Sequence, residues 1–186
     1  MNKERLKTGL EMMGIAADET ALDRFEAFHA ILDEYNARMD LTAVLDEDER
    51  VDRHDLDSAA PLAHGLLAPN AKVIDVGTGA GFPGMVLRIL EPDFDLTLLD
   101  SLGKRIDWLR ETCDGMGLDN VDCVHARAEE FAAAHRQQYD IAASRAVAAL
   151  PLLCELALPL VKVDGCFLAM KSVDSDEEID NARGAI

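Results

Sequence analysis

Aromatic residues are scarce in this chain, 5% of 186 residues. The core therefore has to rest on leucine, alanine, valine and isoleucine. Paired cysteines are missing. Cys113, Cys123, Cys154 and Cys166 form no CxxC unit, which removes zinc-ribbon and thioredoxin-like readings and leaves buried, reduced thiols as the expectation. No apolar run approaches the ~18 residues of a membrane span, and MNKERLKTGL lacks the apolar centre of a signal peptide. A cytoplasmic protein with neither membrane partner nor metal is expected. Positive charge is also short: 18 Lys+Arg against 36 Asp+Glu give a net charge of -18. Such a chain is repelled by nucleic acid unless its few cations gather on one face. What is present is a globular composition, 49% hydrophobic and 29% charged. The length fits one domain able to bury about two-thirds of its unfolded surface without staples.

The pattern changes near Pro69-Asn70, dividing the chain into a helical region, 1–68, and an α/β region, 69–186, packed as one unit. Leu6, Leu10 and Met13 share a helical face. Asp18 is an N-cap for a helix to about Arg38 that buries Leu22, Phe25, Phe28, Leu32 and Tyr35. Asp46 caps a further helical stretch through Leu56 to Leu67. Beyond Pro69, strands are predicted at Val73–Val76, Asp95–Leu99, Val121–Val124, Ile141–Ala143 and Cys166–Met170. Helices are predicted at Met85–Leu90, Leu102–Met116 and Leu150–Leu160, with an acidic one from Asp174 to Ala185. This alternation implies a parallel sheet with helices on both faces, whose ligands bind at the carboxyl ends of its strands.

The glycine-rich turn VIDVGTGAGFPG follows the first of these strands. Gly77, Gly79 and Gly81 let the backbone turn sharply and approach a ligand closely, and Asp100 closes the next strand where it can accept both hydroxyls of an adenosine ribose. A dinucleotide site usually reads GxGxxG. Here the spacing is GxGxG, with Asp75 two residues before the first glycine. An acid there disfavours pyrophosphate and suits a cofactor bearing an amino group and a sulfonium, S-adenosylmethionine, over a nicotinamide cofactor. Exocyclic-amine methylases often carry (N/D)PP(Y/F) after the fourth strand, where this chain has Ser144-Arg145-Ala146. A nucleophile with a free lone pair, such as guanine N7, needs no base and only positioning, and arginine suits a guanine by stacking or by bonding O6. Arg50, Arg53, Lys104, Arg105, Arg145 and Lys171 fall near the expected rim, a local basic edge on an acidic body. His29, His64, His125 and His135 stand alone and read as structural or surface residues.

MDLTAV, RHDLDS, VIDVGTGAGFPG, TLLDSLGKRIDWLR, HARAEEF, SRAVAAL and LAMKS occur in this order. Together they resemble the glucose-inhibited division protein B family of 16S ribosomal RNA guanine-N7 methyltransferases, from roughly Tyr35 onward; TLLDSLGKR with SRA is the more specific part. The resemblance implies a class I S-adenosylmethionine-dependent methyltransferase fold, Rossmann-like and mainly parallel, with an N-terminal helical extension. It implies a monomer acting on 16S ribosomal RNA or the small ribosomal subunit. A methyltransferase of the same fold acting on a small molecule or a protein is the alternative. Family members continue into a final antiparallel hairpin, so those strands are expected to be absent here. By resemblance, Gly77 and Phe82 contact the cofactor with Gly79 beside them, Ala128 and Glu129 hold its adenine, and Asp100 its ribose. Arg145 stands at its methionine end and positions the target without acting as a base. Arg53 and His54 face the RNA, and Lys104, Arg105 and Lys171 complete the expected RNA contacts.

Overall fold

A computed structural model describes residues 1–171 and 175–185. Two helices, α1 (Lys3–Met12) and α2 (Glu19–Met39), open the chain. The expected cap forms: Ala21 N–H donates to Asp18 Oδ1 at 2.8 Å. Of the predicted buried face of α2, Leu22, Phe25, Phe28 and Leu32 are buried and Tyr35 is half-buried. The stretch capped by Asp46 is three pieces in one: α3 (Glu47–Arg50), a π-helical turn (Val51–Leu56) and α4 (Asp57–Ala63). It stops four residues short of Leu67, at a turn where Gly65 takes a positive φ of 63°.

The α/β part follows as β1 (Lys72–Val76), α5 (Gly84–Leu90), β2 (Asp95–Asp100), α6 (Gly103–Met116), β3 (Val121–His125), α7 (Ala128–Ala134), β4 (Tyr139–Arg145), α8 (Leu150–Ala157), a 3-10 turn (Leu158–Leu160), β5 (Val161–Met170) and α9 (Asp176–Ala182). All strand pairs are parallel, in the order β3-β2-β1-β4-β5. The order reverses between β1 and β4, so the crevice for a ligand opens beyond their carboxyl ends.

Three expectations are corrected. The fifth strand begins at Val161, not Cys166: its early residues make a bulge between Tyr139↔Val161 and Ile141↔Cys166, with Asp164 at φ 65°. Helix α7 was not expected, because its one-sided alanine pattern is weak and only Ala132 is buried. The helix read to Leu160 ends at Ala157. Pro159 has no N–H to continue it. The predicted start of the last helix, Asp174, lies outside the described residues.

One buried cluster joins Leu6, Phe25, Phe28 and Val51 of the helical layer to Val73, Met85, Leu98 and Ile106 of the sheet and its helices. Cys113 and Cys154 are buried, but Cys166 on the sheet's edge strand is exposed. No helix among the described residues is long and apolar enough to cross a membrane.

Candidate active site

The floor of the site is backbone. Gly77, Gly79 and Gly81 adopt φ of 71°, 58° and 89°, so the turn doubles back at the end of β1. A methyl group on Gly77 would sit 2.6 Å from Val147 Cγ2. The turn is pinned at both ends. Gly77 N–H and Thr78 N–H donate to Leu99 O at 2.8 and 3.1 Å. Asp75, fully buried, takes the Thr78 hydroxyl (2.8 Å) and Gly84 N–H (2.9 Å) on Oδ2, so it ties the loop to the start of α5. Its Oδ1 is buried without a partner. Burial pushes this carboxyl up to about 6, against the pull of the Thr78 and Gly84 donors.

Asp100 ends β2, and its two oxygens each accept one backbone N–H, from Gly79 (2.9 Å) and from Leu102 (2.8 Å). Each carboxylate oxygen has a second lone-pair site. Asp100 is therefore held rigid and still able to accept a ribose hydroxyl on either oxygen. Arg105 Nη1 stands 3.8 Å from Asp100 Oδ2, and its Nε is buried without a partner.

The roof is side chains from the helical layer. Asn36 clamps the loop after α2: its Nδ2 donates to Thr42 O and its Oδ1 accepts from Thr42 N–H, both at 2.9 Å. Thr42 Oγ1 in turn accepts from Val44 N–H at 3.1 Å and meets His54 Nε2 at 2.7 Å. The His54 ring lies 4.7 Å from the Phe82 ring, and the Arg145 guanidinium is 5.0 Å from the Phe82 ring centre. Burial first, and the Arg145 charge second, push the His54 imidazole down to about 4. It is neutral at ordinary pH.

Arg145 closes the gap between floor and roof. Its Nη1 donates to Arg53 O at 2.8 Å and stands 3.5 Å from Asp57 Oδ2. The residue after it, Ala146, takes φ 53°, a left-handed conformation that costs a non-glycine residue about 1–2 kcal/mol.

Two cavities result. One of about 540 Å³ lies between floor and roof, lined by Thr42, Arg53, His54, Phe82, Arg105 and Arg145 among others. A second, of about 140 Å³, is lined by Leu99, Ala126, Ala128, Glu129 and Leu156. Gly77, Asp100, Ser101 and Val147 line both.

The structure thus gathers Gly77, Gly79, Phe82, Asp100, Arg53, His54, Arg105 and Arg145 around the larger cavity, and Ala128 and Glu129 at the smaller. Glu129 is occupied by Arg127 Nε at 2.6 Å. Three of the expected basic rim residues do not line either cavity. Arg50 is buried and pairs with Asp33 at 2.7 Å. Lys171 donates to Ala148 O and Glu178 Oε1, both at 2.7 Å, fastening β5 to α9. Lys104 is exposed on the first turn of α6. Thr42, Asn36 and Asp57 were missed. Thr42 and Asp57 fall within MDLTAV and RHDLDS, whereas Asn36 falls in neither.

The residues present fit S-adenosylmethionine. Asp100 is a rigid acid with lone pairs free at the edge of a small, largely apolar slot, and the glycine loop beside it allows close backbone approach. Fold and site together define a class I methyltransferase. The sheet resembles that of a precorrin-6y C5,15-methyltransferase from Geobacter metallireducens, with TM-score 0.56 and 16% identity over 77% of this chain and 71% of that one. A putative methyltransferase from Bacillus halodurans gives TM-score 0.51 and 23% identity over 61% and 49%. More specifically, the chain belongs to the rRNA small subunit methyltransferase G family, whose sequence model matches residues 21–186. Ribosomal RNA small subunit methyltransferase G of Alkaliphilus metalliredigens is 43% identical over 100% of this chain and 78% of its own length. The protein of the same name from Bacillus licheniformis is 40% identical over 100% and 79%.

Proposed function

We propose that this protein transfers a methyl group from S-adenosylmethionine to N7 of a guanine in 16S ribosomal RNA, presented as RNA or within the small subunit. The observation that carries the reading is the double-walled cleft itself. A cofactor-shaped floor faces a second compartment bearing Phe82, neutral His54 and three arginines, in a chain whose relatives are named ribosomal RNA methyltransferases. The cofactor supplies an electrophilic methyl group.

The chain's own residues bind, orient and exclude. Gly77, Gly79 and Phe82 form the bed of the cofactor, Asp100 accepts its ribose hydroxyls, and Ala128 and Glu129 border its adenine. Asp75, buried beneath the loop and outside both cavities, holds that bed in shape through Thr78 and Gly84. Arg145 offers a planar donor fork beside Phe82, suited to the O6 edge of guanine or to stacking on it. Arg53, His54 and Arg105 flank the same compartment, while exposed Lys104 stands outside it as a contact for more distant RNA and Lys171 is spent on joining β5 to α9. N7 carries no proton, so no general base is required, and a His54 with its proton already lost adds no positive charge beside the sulfonium. In-line positioning then carries the catalysis.

The test is transfer of a labelled methyl group to small ribosomal subunits and to naked 16S RNA, with the modified base mapped. Label at N7 of one guanine supports the reading. Label on protein or on small molecules, with none on RNA, would replace it with the same-fold alternative.

A further inference from the structure

The π-turn Val51–Leu56 sends neighbouring residues in opposite directions. Arg53 and His54 line the larger cavity, while Asp55, next in sequence, points inward and is 0% exposed. Asp55 Oδ2 lies 2.8 Å from Nε2 of His29, itself 2% exposed on α2. Nothing in the proposed chemistry uses this pair. A buried carboxylate–imidazole pair is also a poor way to gain stability, because apolar residues of similar volume often serve as well or better. Its place in the fold gives it another purpose. The same turn is also gripped by Arg145, whose Nη1 donates to Arg53 O. π-turns are short, frequently mark functional sites, and set side-chain directions that a regular helix would not.

We propose that His29 and Asp55 are positioning residues: their buried contact locks the π-turn in the register that presents Arg53 and His54 to the target base over Phe82. The inference rests on reading the larger compartment as the place of the target nucleotide. His29 touches neither compartment, so its effect reaches the reaction only through the turn.

The experiment compares His29→Leu with His29→Gln in the full chain. Each variant is measured for turnover on small ribosomal subunits, affinity for S-adenosylhomocysteine, melting temperature, and the imidazole signals of His54 in ¹⁵N-histidine spectra. The leucine variant removes the imidazole that stands 2.8 Å from Asp55 Oδ2. Turnover should fall by about tenfold or more, cofactor-product affinity should stay within about twofold, and the His54 signals should shift, as expected for a small misplacement outside the cofactor bed. The glutamine variant keeps a donor within reach of Asp55 and should stay close to wild type in all of these. Unchanged turnover in the leucine variant, loss of cofactor-product affinity in step with turnover, or unmoved His54 signals would each overturn the proposal. Should the leucine variant fail to fold, Asp55→Asn, which keeps the shape and removes the charge, is read by the same measurements. If the wild type methylates no ribosomal subunit, the functional reading fails by itself, and the His54 signals still decide the positioning claim.

Discussion

The two walls of the cleft are built by different means. The floor consists of backbone in conformations that only glycine adopts easily, braced from beneath by two buried carboxylates, Asp75 and Asp100. The roof consists of side chains, Thr42, Arg53 and His54, aimed by a loop clamp and a π-turn in a separate helical layer. A floor of this kind recognises one invariant ligand and tolerates little change. A roof of side chains can be altered residue by residue while the cofactor bed stays intact. On the proposed reading, cofactor and target are held mainly by different walls, and mutations test that division directly.

The largest effect is expected on the floor. Gly77→Ala places a methyl group 2.6 Å from Val147 Cγ2 at a φ of 71°. Cofactor affinity should fall by roughly a hundredfold, about 2.7 kcal/mol, as read by calorimetry; affinity within a few-fold of wild type would break the comparison. Next comes Asp100→Ala. It removes ribose acceptors, each bond to a charged group contributing about 1.5–3 kcal/mol, and also releases Gly79 and Leu102 N–H. Affinity should drop at least about tenfold, and melting temperature should drop with it. An intact melting temperature would mean that the loop does not need its brace.

Arg145→Lys sharpens the boundary between the walls. Lysine keeps the charge but loses the plane and the fork, so RNA methylation should fall about tenfold while cofactor affinity stays within about twofold. Near-normal turnover would leave Arg145 only the task of fastening the turn at Arg53 O and Asp57. The smallest effect concerns pH. Asp75, raised from 3.8 to about 6, holds its proton longer folded than unfolded, so its contribution to stability declines as pH rises from about 4 to 6. His54, lowered from 6.5 to about 4, works the other way: the unfolded chain takes up the proton first, and stability declines as pH falls from 6.5 toward 4. Asp75→Asn should therefore raise the melting temperature of the cofactor-free protein more at pH 8 than at pH 4, and His54→Gln should shrink the loss between pH 7 and pH 5. Parallel melting profiles in variants and wild type would refute both assignments.

The floor was legible in the sequence because its requirements are local. Positive φ demands glycine at Gly77 and Gly79, a strand must end in an acid to meet a ribose, and the two signals close successive strands of one β-α-β unit. The alternation of strands and helices that places them is equally local. Of the roof, Arg53 and Arg145 were legible as rim cations, and the roles of Arg53 and His54 only through resemblance. Nothing in the spacing of RHDLDS says that its helix widens into a π-turn, or that Asp57 and Arg53 O will meet Arg145, 88 and 92 residues away. Periodicity misread Arg50 as a rim cation, since an arginine near an exposed helical segment gives no hint of a buried pairing with Asp33. It also misread the start of β5, where a bulge breaks the period of two.

Gly77, Asp100, Ser101 and Val147 are wall to both compartments at once. On the proposed reading, cofactor and target would meet at this common wall, and their binding equilibria would be linked there. Whatever factor the cofactor contributes to RNA affinity, RNA must return to the cofactor. The donor and its demethylated product differ by one methyl group and one charge, so they are expected to return different factors. The ribosomal substrate would then discriminate between fresh and spent cofactor.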